Sequence, residues 1–260
     1  SPWPMAADLL FEIGTEELPA SFIAAALEAI PALAEELLRG ARLSHGSIEA
    51  LATPRRLALR VGALADRQAH LNEQLVGPPK SVGLGADGKL TKAGEGFARK
   101  AGVDASAVRV IKTEKGEYLA LDRSEQGKAA AEVLPAILET LSARIPFPKS
   151  MRWGKGETTF GRPVHWLVAL HGEHTIAASF AGIRAGRATR GHRFLAPESR
   201  NIASPGVYVD ELRRAHVLAD PAERRRVMAD ALDAKALELR GALVHDEFLL
   251  AECSALVEEQ

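Results

Sequence analysis

An apolar run gives way to helical spacing over the first forty residues. DLLFEIG, residues 8 to 14, is a short apolar stretch ended by glycine, and the TEELP that follows offers Thr15 as a cap, carboxylates for the helix dipole and Pro19 for a first turn. The pattern predicts a strand feeding a helix. From Ala20 to Leu43, Phe22, Ile23, Ala26, Leu27, Ile30, Leu33, Leu37 and Leu38 keep a helical period, with Pro31 expected to kink or split the run. IEALATPRRLALRVGAL, residues 48 to 64, reads as two strands about a Thr53-Pro54 corner. Leu57, Leu59 and Val61 alternate there with Arg56, Ala58 and Arg60, which places the arginines on the outer face.

Residues 77 to 96 are rich in glycine, proline and lysine without periodicity, and predict a long, exposed and mobile connection before a short helix around EGFARKAGV. Residues 108 to 124 have the pattern of a hairpin turning at Lys115-Gly116, and 127 to 145 that of an amphipathic helix containing Pro135. A second hairpin is expected over 164 to 183, turning at Gly172. Ser204-Pro205 opens a helix to about Ala215. DPAE at 220 to 223 is a capping box, Asp220 reaching the amide of Glu223, that opens a helix to about Arg240, and residues 246 to 257 read as helical. The fold class is α+β: a mixed or antiparallel sheet with a ferredoxin-like βαββ element and packed helices, followed by a helical tail. The expected organisation is an expression remnant at 1 to 4, an α+β region over 5 to 200 with a mobile insertion at about 76 to 106, and a helical segment over 201 to 260.

The 260 residues are long enough for a substantial core, and 47% apolar with 26% charged residues is a globular composition without a run long enough to span a membrane. The lone Cys253 has no disulfide or zinc partner, which fits a reducing cytoplasm. The net charge of −1 gives no overall reason to propose nucleic acid, so a basic surface must come from segregation. Between residues 149 and 193 eight lysines and arginines face only Glu157 and Glu173, a local +6, with His165, His171, His174, His192, Trp153 and Trp166 in the same window. Cations beside stacking surfaces suit a polyanion with exposed bases. A solvated basic face is the plainer reading of the same window.

Within it, RATRGHRF, residues 187 to 194, combines Arg187, Arg190, His192 and Arg193 with Gly191, which can adopt a positive φ and let backbone approach a phosphate. Thr189 adds a donor. The alternative is a charged strand edge with Phe194 as its core anchor. Pro54-Arg55-Arg56 has similar character. Glu12, Glu16 and Glu17 are spaced to hold magnesium in principle, though carboxylates at a helix start more often serve its dipole. The histidines lack the partners of a zinc shell and read as surface residues. Neither a phosphate-binding loop, a dinucleotide fingerprint nor a nucleophile elbow is found, so no catalytic residue and no metal site is assigned. The residues alone describe a nucleic-acid binding module.

Six stretches sharpen that description: FEIGTEELPASF (11 to 22), ATPRRLAL (52 to 59), KAGEGFARKAGV (92 to 103), IPFPKSMRWG (145 to 154), FGRPVHWLVALHGE (160 to 173) and GIRAGRATRGHRF (182 to 194). In order and spacing they resemble the beginning of the beta subunit of bacterial glycyl-tRNA synthetase. The resemblance implies a cytoplasmic heterotetramer of two alpha and two beta subunits. Alpha would activate glycine with ATP and Mg2+ on a class II core, and beta would chiefly capture tRNA(Gly). It also implies that the chain is an amino-terminal fragment, holds no cofactor and does not aminoacylate alone. Arg55, Arg56, Lys149, Arg152, Arg162, Arg187, Arg190, His192 and Arg193 are then the expected tRNA-contacting residues. A second possibility is a docking module for alpha without direct tRNA contact, using the acidic EIGTEELP.

Overall fold

A computed structural model describes residues 6–152 and 158–259. The chain forms two compact units, one of residues 1–68 with 128–260 and one of residues 69–127. The first begins with β1 (Ala6–Thr15), α1 (Ala20–Gly40), β2 (Ile48–Thr53) and β3 (Arg56–Ala65). The second contains β4 (Leu71–Pro79), α2 (Lys80–Gly83), α3 (Lys92–Ala101), β5 (Arg109–Thr113) and β6 (Gly116–Glu125). The first unit then resumes with α4 (Ala130–Arg144), β7 (Met151–Arg152), β8 (Thr159–Phe160), β9 (Val164–His171), β10 (His174–Thr175), β11 (Ser179–Phe180), β12 (Ile183–Gly186), β13 (Ala188–Arg190) and β14 (Ser199–Asn201). It closes with α5 (Tyr208–Arg214), α6 (Pro221–Glu238) and α7 (Glu247–Ala255).

The main sheet has the order β11-β12-β9-β1-β3-β2, with β10 also on β9. β1 lies between β3 and β9 and is antiparallel to both, and β12 alone runs parallel to its neighbour β9. This confirms an α+β layout. Both faces of β1 are covered, so its apolar residues run on without alternation. Leu9, Phe11 and Ile13 pack with Phe22, Ile23, Ala26 and Ile30 of α1 and Leu134 and Leu138 of α4. Leu10 faces the other way, toward Ala58, Val168, Leu170, Ile202, Tyr208 and Leu212. Glu12 shares that second face and is completely buried.

Several local expectations change. Thr15 does not cap α1, whose cap position is Pro19 without a side-chain bond, and no carboxylate lies in its first turn. Pro31 and Pro135 sit inside continuous helices. Asp220 does cap α6, but its carboxylate accepts from the Ala222 amide at 2.8 Å rather than from Glu223. The 108 to 124 hairpin forms as β5 and β6. Residues 77 to 96 are not one long loop: they include the end of β4, all of α2 and the start of α3, which Thr91 caps through the Gly94 amide. Part of their glycine content has a packing cause, since a Cβ on Gly94 would lie 2.4 Å from the Gly83 carbonyl oxygen. The inserted unit runs from Ala69 to Gly127, beyond the expected 76 to 106. The expected remnant at residues 1 to 4 lies outside the described residues, as do Trp153, Lys155 and Glu157 of the basic window.

Candidate nucleic-acid interface

The site begins with a carboxylate in a place where one is expensive. Glu12 interrupts an apolar strand and is removed from water, so its oxygens need hydrogen-bond donors. Four converge on it. Trp166 Nε1 donates to Oε1 at 2.5 Å and Thr189 Oγ1 donates to the same oxygen at 2.6 Å. The Tyr208 hydroxyl donates to Oε2, which also receives Arg56 Nη1 at 3.5 Å. Burial, followed by the Glu12 charge, raises the Tyr208 pKa well above the usual phenol range, so this hydroxyl keeps its proton.

Arg56 links this carboxylate to a second one. Its Nη2 donates to Glu258 Oε1 at 3.0 Å, its Nε to Thr53 Oγ1 at 3.1 Å and its Nη1 to the Arg190 carbonyl at 2.8 Å. Thr53 Oγ1 in turn donates to Glu258 Oε1 at 2.9 Å. Burial opposes the Arg56 cation, but Glu12 and Glu258 outweigh it and the pKa is raised. Arg56 is 0% exposed and does not line a surface. The alternation that placed it on the outer face fails because β3 is covered on both sides.

Trp166 is likewise buried and offers no free stacking face. Its ring lies across from Gly14, where an added Cβ would come within 1.9 Å of the indole. The guanidinium carbons of Arg55, Arg56 and Arg190 stand 5.7, 5.6 and 5.1 Å from the ring centroid. The buried network therefore organises cations that are themselves nearer solvent. Arg55 is half-buried and Arg190 exposed, and desolvation, together with nearby Arg56, Arg193 and Arg190, lowers the Arg55 pKa against the pull of Glu258.

RATRGHRF divides between structure and surface. Arg187 Nη2 donates to the Glu173 carbonyl at 2.7 Å, and Nη1 reaches the Ile202 and Ala203 carbonyls at 3.4 Å each. Thr189 is spent on Glu12. Gly191 does not have a positive φ. Its missing side chain admits the Ala196 carbonyl oxygen, which a Cβ would meet at 2.3 Å, so the glycine serves internal packing rather than phosphate approach. His192 Nδ1 accepts from the amides of Phe194 and Leu195 at 3.2 Å each. Arg193 is exposed and pairs with Glu17 at 3.0 Å. Phe194 is 80% exposed and anchors no core.

A cleft of about 180 Å³ is lined by Arg55, His192, Arg193 and Phe194, with Glu17 and the 256–259 segment on its walls. The structure thus brings together Arg55, Arg190, His192 and Arg193. Arg187 is held by carbonyls elsewhere. Lys149 and Arg152 are exposed around β7, and Arg162 stacks 5.3 Å over Phe22 while donating to the Gly161 carbonyl at 2.8 Å. Glu16 pairs with His165 at 2.8 Å, so the three early carboxylates do not converge. Among the described residues no group of three His, Cys, Asp or Glu side chains could hold a metal ion, and no helix is long and apolar enough to cross a membrane.

Glu12 is expected from the sequence only as a candidate magnesium ligand or helix-dipole carboxylate, and Tyr208 and Glu258 are not anticipated at all. An acid within LLFEIG was the available signal for the first; Tyr208 and Glu258 are brought to the network only by the tertiary fold. The architecture defines an α+β domain with a cation cluster braced from behind by buried carboxylates. Residues 9–259 match the family described as glycyl-tRNA synthetase beta subunit, and the chain belongs to that family. It is 43% identical over 254 residues to the glycine-tRNA ligase beta subunit of Citrifermentans bemidjiense and 44% identical over 254 residues to that of Geotalea daltonii. Each alignment covers 98% of this chain and 37% of the relative, so the chain spans little more than a third of the length of these proteins.

Proposed function

We propose that this chain is the amino-terminal part of a glycine-tRNA ligase beta subunit and that it helps bind and position tRNA(Gly). Glycylation itself would occur on the alpha subunit of an alpha2-beta2 assembly in the cytoplasm, with ATP and Mg2+ used there and no cofactor held by this chain. The observation that carries the reading is the grouping of Arg55, Arg190, His192 and Arg193 beside the exposed Phe194. Forked donors next to an aromatic face suit phosphates flanked by unstacked bases. Lys149, Arg152 and Arg162 extend the reading as a second group of contacts. Arg56 and Arg187 support it only from within, by fixing the segment that carries the exposed cations.

A docking role for the alpha subunit is the second reading, favoured by the exposure of Phe194 and Leu195, at 80% and 60%. Mixing the labelled chain separately with tRNA(Gly) and with alpha subunit distinguishes the two. Retention of tRNA by the isolated chain is the expected result. Association with alpha and none with tRNA would replace the first reading with the second.

A further inference from the structure

The cleft beside Phe194 contains a donor without an acceptor. Arg55 Nη1 is buried and makes no hydrogen bond among the described residues, its nearest carboxylate oxygen, on Glu258, standing 3.8 Å away. A buried guanidinium N–H left unpaired is costly, and the Arg55 side chain as a whole, 15% exposed, lines the cleft with a charge that an incoming acceptor can meet. The cleft is nevertheless a poor site for a bare anion. Glu17, Glu258 and Glu259 all line it, and their charges would repel an isolated phosphate.

A nucleotide resolves this mixture, because it carries an anion, hydroxyl donors and a flat ring in one molecule. The cleft-facing part of the Arg55 guanidinium suits a phosphate oxygen. Among the described residues Glu17 and Glu259 are each singly engaged, with Arg193 at 3.0 Å and with His216 at 2.6 Å, and each carboxylate retains acceptor capacity for ribose hydroxyls. Carboxylates that accept from ribose hydroxyls are a recurrent way of recognising that sugar. Phe194 supplies an uncovered ring at the rim, with the Arg193 guanidinium 5.7 Å from its centroid, so a base can stack there beside a cation.

We infer that the Arg55–Phe194 cleft is a ribonucleotide-binding site: Arg55 takes the phosphate, Glu17 and Glu259 take the ribose hydroxyls and Phe194 stacks the base. The inference deepens the tRNA-binding reading and rests on it for the source of the nucleotide, an unpaired position in an RNA strand. A free mononucleotide offers the same chemistry.

Calorimetric titration of the 260-residue chain with adenosine monophosphate, its 2′-deoxy counterpart and a single-stranded RNA trinucleotide tests the site, with tRNA binding measured in parallel. The ribonucleotide should bind roughly tenfold more tightly than the deoxyribonucleotide, the worth of one charge-assisted hydrogen bond. Phe194→Ala, at a residue too exposed to threaten folding, should weaken the ribonucleotide by about tenfold. Tighter binding of the trinucleotide than of the mononucleotide supports an RNA source, and the reverse order supports a free nucleotide. Equal affinity for both sugars, no effect of Phe194→Ala, or no binding of either small ligand overturns the site. If tRNA still binds in those cases, the broader reading survives. If ribose-selective, Phe194-dependent mononucleotide binding is present while tRNA binding is absent, the site stands and the tRNA reading falls.

Discussion

Two arginines of the larger unit are buried to the same degree and held in opposite ways. Arg56 lies between Glu12 and Glu258, whereas Arg224 donates through Nε to the Ser254 carbonyl at 2.7 Å and through Nη1 to the Leu218 carbonyl at 2.6 Å. Burial lowers the Arg224 pKa to about 10 despite the attraction of Glu258 and Asp220, while at Arg56 the carboxylates prevail and the pKa is raised. Carbonyl dipoles satisfy a guanidinium's geometry without matching its charge. The Arg56 region can consequently hold further cations close by, as Arg55 and Arg190 over Trp166 illustrate, and the Arg224 region serves to tie α6 to the last turn of α7 and to the chain just before α6.

The largest effect on stability is expected from Arg56→Met. It leaves Glu12 and Glu258 buried without their cation and should cost about 3–5 kcal/mol of unfolding free energy by denaturant titration. Adding Glu12→Gln should recover part of that loss, because the two residues interact directly. Arg224→Met strands carbonyls but also removes a poorly compensated charge, and its expected cost is smaller, about 1–3 kcal/mol. A larger loss at Arg224 than at Arg56 would overturn the distinction. Arg193→Ala, at an exposed pair, should shift stability by no more than about 0.5 kcal/mol and so separates binding from folding.

Legibility in the sequence followed how local the cause was. The period of α1, the β5–β6 hairpin and the Asp220 cap each depend on a few neighbouring residues, and each formed, with small changes in bonding. The outward placement of Arg56 failed because alternation cannot report a second layer packed over β3. RATRGHRF was recognisable as a special segment, yet composition did not separate Arg190 and Arg193 from Arg187 or reveal that Thr189 faces inward. The glycine-rich 77 to 96 stretch misled for a related reason. Close backbone packing and a flexible loop both favour glycine, and only the partner element distinguishes them.

The proposed tRNA capture has the buried carboxylate network present Arg190 and Arg193 to a nucleic acid. Its most direct test is the affinity of tRNA(Gly) as a function of salt for the unaltered chain and for Arg190→Ala and Arg193→Ala. Each substitution should weaken binding and reduce the log–log salt slope by about one phosphate contact, with unfolding free energies unchanged within about 0.5 kcal/mol. An unchanged affinity and slope in both variants would exclude Arg190 and Arg193 from tRNA binding.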